Sequence, residues 1–212
     1  MNNTRKRIGI MGGTFDPVHI GHLILGEKAY EQLKLDKVWF MPSGNPPHKR
    51  NREGRASDKQ RIEMVKRAIS GNEHFELSLF EMDQEGYSYT CLTLEKLKIQ
   101  YPDYEFFFII GADSLFDFPL WKNPEKICAA CTMVVATRNQ ASSQQLDDGM
   151  KEMAEKYHGT FLRLNTPDID ISSNYIRKLI HENKSIRYYV PDSVKNYIED
   201  HHIYVPKRGI LK

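Results

Sequence analysis

Cysteine is scarce in this chain. Cys91, Cys128 and Cys131 are the only three among 212 residues, and an odd, small count argues against a disulfide framework. Long apolar runs are missing too. No stretch approaches the roughly 20 residues that span a bilayer, and the apolar segment behind the polar, basic start is the short Ile8-Gly9-Ile10-Met11, far below a secretion signal. Neither charge sign dominates: 30 Lys and Arg face 28 Asp and Glu, a formal balance of +2 that implies no broad nucleic-acid or membrane surface. Any anion site is therefore local, and neither a nucleic acid nor a membrane is expected as a partner. Internal repeats and low-complexity tracts are also lacking, and the polar stretch 139–148 is the nearest thing to a linker.

What remains is ordinary globular composition, 40% hydrophobic and 27% charged. A chain of this length buries roughly 70% of the surface its unfolded form exposes, so a real core needs no staples. A soluble, cytosolic protein is expected. Cys128 and Cys131 have metal or redox spacing, yet no second ligand pair stands nearby and a buried-strand pattern follows at Thr132-Met133-Val134-Val135. Two small buried residues are expected there.

Short apolar runs at 8–11, 38–41, 105–110, 132–136 and 161–164 read as strands. Helical spacing of apolar residues marks 19–34, 58–70, 90–100, 145–157 and 172–181. Strand followed by helix, repeated, predicts an α/β fold: a Rossmann-like, doubly wound parallel sheet with helices on both faces. Phe106-Phe107-Phe108-Ile109-Ile110 is apolar without alternation, as a strand covered on both sides must be. One domain over 1–212 is predicted, with 172–212 a helical C-terminal subregion whose helical part, to residue 200, closes over the sheet edge.

The first strand runs directly into Gly12-Gly13-Thr14-Phe15-Asp16-Pro17-Val18-His19-Ile20-Gly21-His22. In an open parallel sheet ligands bind beyond the carboxyl ends of strands, and bare glycine backbone can approach a phosphate closely. The dinucleotide fingerprint and the P-loop lysine are both absent. His19 and His22, three apart at a helix start, place two imidazoles on one face beside the positive end of the helix. Phosphate contact is favoured over a metal site, because no third ligand is near.

Further on, Ser172 and Ser173 open another helix, where a hydroxyl either caps free N–H groups or meets a phosphate. Arg177, four or five residues later, brings a guanidinium fork back over the same turn. Met41-Pro42-Ser43-Gly44-Asn45-Pro46-Pro47-His48-Lys49 follows the second strand, where proline and glycine fix a loop and His48 and Lys49 add cations. The basic run that continues to Arg52 and Arg55 reads by itself as a solvated loop.

The glycine-histidine segment resembles the T/HxGH signature of the nucleotidylyltransferases, and Ile171-Ser172-Ser173-Asn174-Tyr175-Ile176-Arg177 resembles their ISSTxIR motif with Asn174 in place of Thr. Most of the chain is similar to the nicotinate mononucleotide adenylyltransferases. The loop after the second strand, Phe80-Glu81-Met82, Gly86-Tyr87-Ser88-Tyr89-Thr90, Phe108 through Leu115, Phe118 through Lys122 and Val134 through Arg138 all carry that likeness.

The resemblance implies adenylyl transfer from ATP to nicotinate mononucleotide, giving deamido-NAD and pyrophosphate in NAD biosynthesis. Magnesium arrives on the ATP and no metal is held by the protein. His19, His22, Ser173 and Arg177 are implied as the catalytic group around the triphosphate. Gly12, Gly13, Thr14, Phe15, Ile171 and Ser172 are implied at the same nucleotide, with Gly111 and Asp113 at its ribose. Ser43, Asn45, His48, Lys49, Thr90, Trp121, Lys122 and Arg138 are implied at the acceptor. Trp121 offers a flat face to an electron-poor pyridinium ring, and Thr90 and Lys122 can receive its carboxylate. By residues alone, Trp121 is also an ordinary packing aromatic and Asp113 also a helix N-cap. Transfer to phosphopantetheine, cytidylyl transfer to a sugar or alcohol phosphate, and a nucleotide-binding regulator without chemistry stay open. So does the assembly, monomer or homodimer.

Overall fold

The structure, a computed structural model, describes residues 5–44, 54–82, 87–137 and 143–206. Six strands form one wholly parallel sheet: β1 (Lys6–Gly13), β2 (Lys37–Pro42), β3 (Phe75–Leu77), β4 (Tyr104–Gly111), β5 (Thr132–Thr137) and β6 (Phe161–Asn165). Their order is β3-β2-β1-β4-β5-β6. The chain therefore winds outward one way from β1 and the other way from β4. The switch point, where a doubly wound sheet opens a crevice, lies between the carboxyl ends of β1 and β4.

Eight helices cover the sheet among the described residues: α1 (Ile20–Leu33), α2 (Asp58–Ile69), α3 (Thr90–Gln100), α4 (Ala112–Asp117), α5 (Pro124–Ala130), α6 (Ser143–Tyr157), α7 (Ser173–His181) and α8 (Asp192–Asp200). Side chains of a strand alternate between faces. On β4, Phe107 and Ile109 join one buried cluster while Phe106, Phe108 and Ile110 join the other, so the unbroken apolar run feeds two cores. Helices α1, α2, α7 and α8 contribute to the first cluster, and α3 to α6 to the second. Helix α2 begins on a capping box, with Ser57 Oγ accepting from Gln60 N–H and Gln60 Oε1 accepting from Ser57 N–H.

The C-terminal helices differ from expectation in place. They join the face covered by α1 and α2 instead of closing the sheet edge. Ile176 and Leu179 on α7, and Val194 and Ile198 on α8, are apolar pairs at helical spacing buried in the same cluster as Phe40 and Met64. Ser193 Oγ donates to the Arg67 carbonyl of α2 at 3.1 Å. Four short elements were not expected: β3, of only three residues, the helices α4 and α5, and a single 3₁₀ turn at Phe118–Leu120. Such lengths are too brief for periodicity to register. Among the described residues no helix is long and apolar enough to cross a membrane.

Candidate active site

Gly12 and Gly13 end β1, and the chain turns at Phe15 (φ 47°) before α1 begins at Ile20 with His19 as its N-cap. The two imidazoles stack with centroids 3.7 Å apart, and the Phe15 ring meets His22 edge-on at 5.0 Å. His19 N–H donates to His22 Nδ1 at 3.2 Å. A ring nitrogen that accepts carries no proton, so neutral His22 presents its hydrogen at Nε2 as a donor. Gly21 makes the stacking possible, since a Cβ there would lie 3.1 Å from His19 Nδ1.

The two distant motifs meet at this turn. Arg177 Nη1 donates to the Asp16 carbonyl at 2.5 Å and Nη2 donates to Asn174 Oδ1. Ser173 Oγ donates to the Pro17 carbonyl at 2.9 Å, and Ser172 Oγ caps α7 by accepting from Tyr175 N–H. Asn174, the departure from the usual threonine, thus has a use: it helps orient the guanidinium. Ser173 has one proton and donates it to Pro17, so it reaches a phosphate as a donor only by turning away.

Around this junction opens a cavity of about 470 Å³. Its walls include Gly13, Thr14, His19 and His22 from the first motif and Ile171, Ser172, Ser173 and Arg177 from the second. Phe15 and Asp113 line it as well, whereas Gly12 and Gly111, expected at the same nucleotide, do not. Asp113 is not the cap of α4, which is Gly111; it sits in the first turn, where the helix dipole favours a carboxylate.

A second cavity of about 800 Å³ adjoins the first, with Gly13, Thr14, His22 and Asp113 common to both. Gly12, Ser43, Thr90, Gly111, Trp121 and Lys122 line it. Trp121 stands edge-on to Phe108 at 6.2 Å, and Lys122 Nζ lies 4.1 Å from the Tyr89 ring centroid. Thr90 opens α3, so its N–H belongs to those a helix start leaves without an intrahelical acceptor. Asn45, His48, Lys49 and Arg138 fall outside the described residues.

Glu81 also reaches this second cavity. Burial pushes its carboxyl above the ordinary range, opposed by bonds from the Thr93 hydroxyl at 2.8 Å and the Gly44 N–H. Gly44 comes so close that a Cβ would lie 2.2 Å from the Glu81 carbonyl oxygen. Gly44→Ala is therefore expected to cost about 1–3 kcal/mol through forced backbone displacement. A thermal denaturation midpoint equal to the wild type would refute that contact.

Cys128 and Cys131 are buried. Burial raises the Cys128 thiol to about 11 and pushes Cys131 higher still. Neither is a thiolate at neutral pH, as the reading of two inert core residues requires.

A cytidylyltransferase-like family model matches residues 10–179. A Probable nicotinate-nucleotide adenylyltransferase of Lachnoclostridium phytofermentans is 40% identical over 200 residues, covering 94% of this chain and 100% of that protein. One of the same name from a Synechococcus species is 42% identical, covering 95% and 96%. The chain belongs to the nicotinate-nucleotide adenylyltransferase family.

The fold agrees with solved structures. Plasmodium falciparum nicotinic acid mononucleotide adenylyltransferase, complexed with NaAD, superimposes with a TM-score of 0.75 at 20% identity over 94% of this chain and 97% of that one. In this nicotinate-nucleotide adenylyltransferase family member, sequence reasoning singled out the cavity walls but passed over what holds them. Asp16 Oδ1 accepts from Tyr204 Oη at 2.7 Å and from Ala56 N–H at 3.1 Å. Buried Arg61 donates to the carbonyls of Thr14 (2.8 Å) and Ser43 (2.9 Å) and to Asp58 (2.7 Å). Asp16 was visible within the motif, but its partner Tyr204 lies 188 positions away and no local pattern links them.

Proposed function

We propose that the chain transfers the adenylyl group of ATP to nicotinate mononucleotide, releasing pyrophosphate and giving deamido-NAD, as a step of NAD biosynthesis in the cytoplasm. The observation that carries this reading is the wall shared by the two cavities, with His22 at the seam. Two nucleotides lying in them bring their phosphates together there.

The smaller cavity suits a polyphosphate. Two helix N-termini, the imidazoles and Arg177 supply dipoles and cations, while Gly13 and Thr14 offer backbone. The resemblance implies Gly111, which lines the larger cavity, and Asp113, which lines both, for the ribose hydroxyls. The larger cavity suits the acceptor: the Trp121 face for the pyridinium ring, the start of α3 with Thr90 and the Lys122 ammonium for its carboxylate. Ser43 lines that cavity too, and the resemblance implies Asn45, His48, Lys49 and Arg138 for the same acceptor. Magnesium enters on the phosphate oxygens of ATP as part of the substrate.

An acceptor phosphate oxygen attacks the α-phosphorus; the new P–O bond forms as the bond to the α,β-bridging oxygen breaks and its electron pair leaves with pyrophosphate. The acceptor oxygen is already anionic, so no enzyme nucleophile or base is needed. Alignment of two anions and stabilisation of the charge between them do the work. His22 Nε2 donates to the α-phosphate and Arg177 holds the departing phosphates, with Ser173 joining as it turns from Pro17.

With ATP held constant and each acceptor supplied in turn, nicotinate mononucleotide is expected to give the highest kcat/KM by pyrophosphate release. The nicotinamide compound, with a neutral amide in place of the carboxylate, should fall about tenfold or more below it through loss of a charged hydrogen bond. A signal from phosphopantetheine and none from the nicotinate compound would overturn the substrate. ATP binding with no pyrophosphate from any acceptor would mark a regulator.

A further inference from the structure

Buried Asp16 serves four partners. Its Oδ1 accepts from Tyr204 and Ala56, and its Oδ2 lies 3.5 Å from Arg55 Nε and 3.9 Å from Arg177 Nη1. Two guanidinium groups thus divide one carboxylate oxygen. Arg61 stands close enough for its charge to act on Arg55, and its own close carboxylate, Asp58, is largely solvent-facing. Three guanidiniums, those of Arg55, Arg61 and Arg177, thus gather about Asp16 and Asp58 beside a cavity.

The position of Arg55 is informative. With Gly54 it lines the smaller cavity, beside His19, Ser173 and Arg177, and is not among the walls of the larger one. It therefore stands on the side away from the acceptor, where the β- and γ-phosphates of a nucleotide would extend. Its side chain is only 21% exposed, so a bond from it to an anion is less screened than one at the open surface. Gly54, at φ +78°, provides the left-handed turn from which Arg55 enters.

We infer that Arg55 is a phosphate-binding residue of this site, holding the pyrophosphate end of the nucleotide together with Arg177. The inference rests on the proposed use of the smaller cavity for a polyphosphate. Desolvation and then Arg61 lower the Arg55 pKa, a strain that an incoming anion relieves. Asp16 keeps the two arginines parked at the cavity wall, and a polyphosphate offers each guanidinium a bidentate anionic partner in place of the one carboxylate oxygen they share.

The test measures binding of inorganic tripolyphosphate and of AMP by calorimetry to the full chain and to Arg55→Ala, Arg55→Gln and Arg55→Lys. Arg55→Ala and Arg55→Gln are expected to weaken tripolyphosphate by about 10- to 100-fold, the size of a lost charged hydrogen bond, and to leave AMP within about twofold. Arg55→Lys should restore part of the loss, keeping the charge without the fork. In turnover, KM for ATP should rise while KM for the acceptor stays put. Unchanged tripolyphosphate affinity in Arg55→Gln, or equal losses for AMP and tripolyphosphate, would overturn the assignment. Since binding is read without turnover, a chain that held tripolyphosphate through Arg55 but transferred nothing would sink the reaction and keep this residue.

Discussion

Replacing His22 by alanine is expected to lower kcat by about 10²- to 10³-fold, the loss seen when a preorganised donor to a developing charge is removed. The seam between the cavities has His22 on both sides, and the bond from His19 N–H to Nδ1 fixes its remaining proton at Nε2. The expected signature is a fall in kcat and kcat/KM together, because the contact strengthens only in the transition state. Stability should change little, since His22 is half-buried and its removal leaves Phe15 packed against Phe40 at 5.9 Å. Turnover within about threefold of wild type would remove His22 from the chemistry, as such a loss is far below that of a donor.

Arg61→Ala is expected to have the largest effect on stability, about 3 kcal/mol, by emptying the space of a fully buried side chain and leaving the partly buried Thr14 and Ser43 carbonyls without their donor. For a chain of this size that corresponds to a fall of roughly 6–12 °C in the thermal midpoint. The Asp58 pair contributes little, because that carboxylate is exposed. Lysine should not rescue the variant, since one ammonium cannot reproduce a fork reaching three acceptors on separate segments. Both freed carbonyls belong to cavity-lining residues, so the surviving folded protein should also show a raised KM. A midpoint within about 2 °C of wild type, under 1 kcal/mol on the same scale, would contradict this role.

Which features were legible follows from their range along the chain. The unbroken run 106–110 announced a strand buried on both faces, and β4 indeed divides its side chains between two cores. His19 and His22 lie within one turn, so their shared face could be read from spacing, whereas the close approach of Gly21 to the His19 ring could not. Arg177 was placed correctly beside them only because its motif could be matched to theirs; its bonds to Asp16 span 161 positions. Ser173 shows the limit, because its hydroxyl is engaged by Pro17, a partner that spacing does not reveal. Arg61 shows the other limit: spacing puts it on the helix face of Met64 and Ala68, but does not reveal the Thr14 and Ser43 carbonyls it serves. The C-terminal helices were recognised but misplaced, since amphipathicity tells that a stripe is buried and not against which layer.

The proposed reaction requires one polyphosphate to lie between the N-termini of α1 and α7. A crystal structure with the α,β-methylene analogue of ATP tests this directly. The α-phosphate is expected within hydrogen-bond distance of His22 Nε2, and the β- and γ-phosphates on Arg177 and Arg55. Phosphates lodged elsewhere, with the His19 and His22 rings and Arg177 facing only solvent, would contradict it.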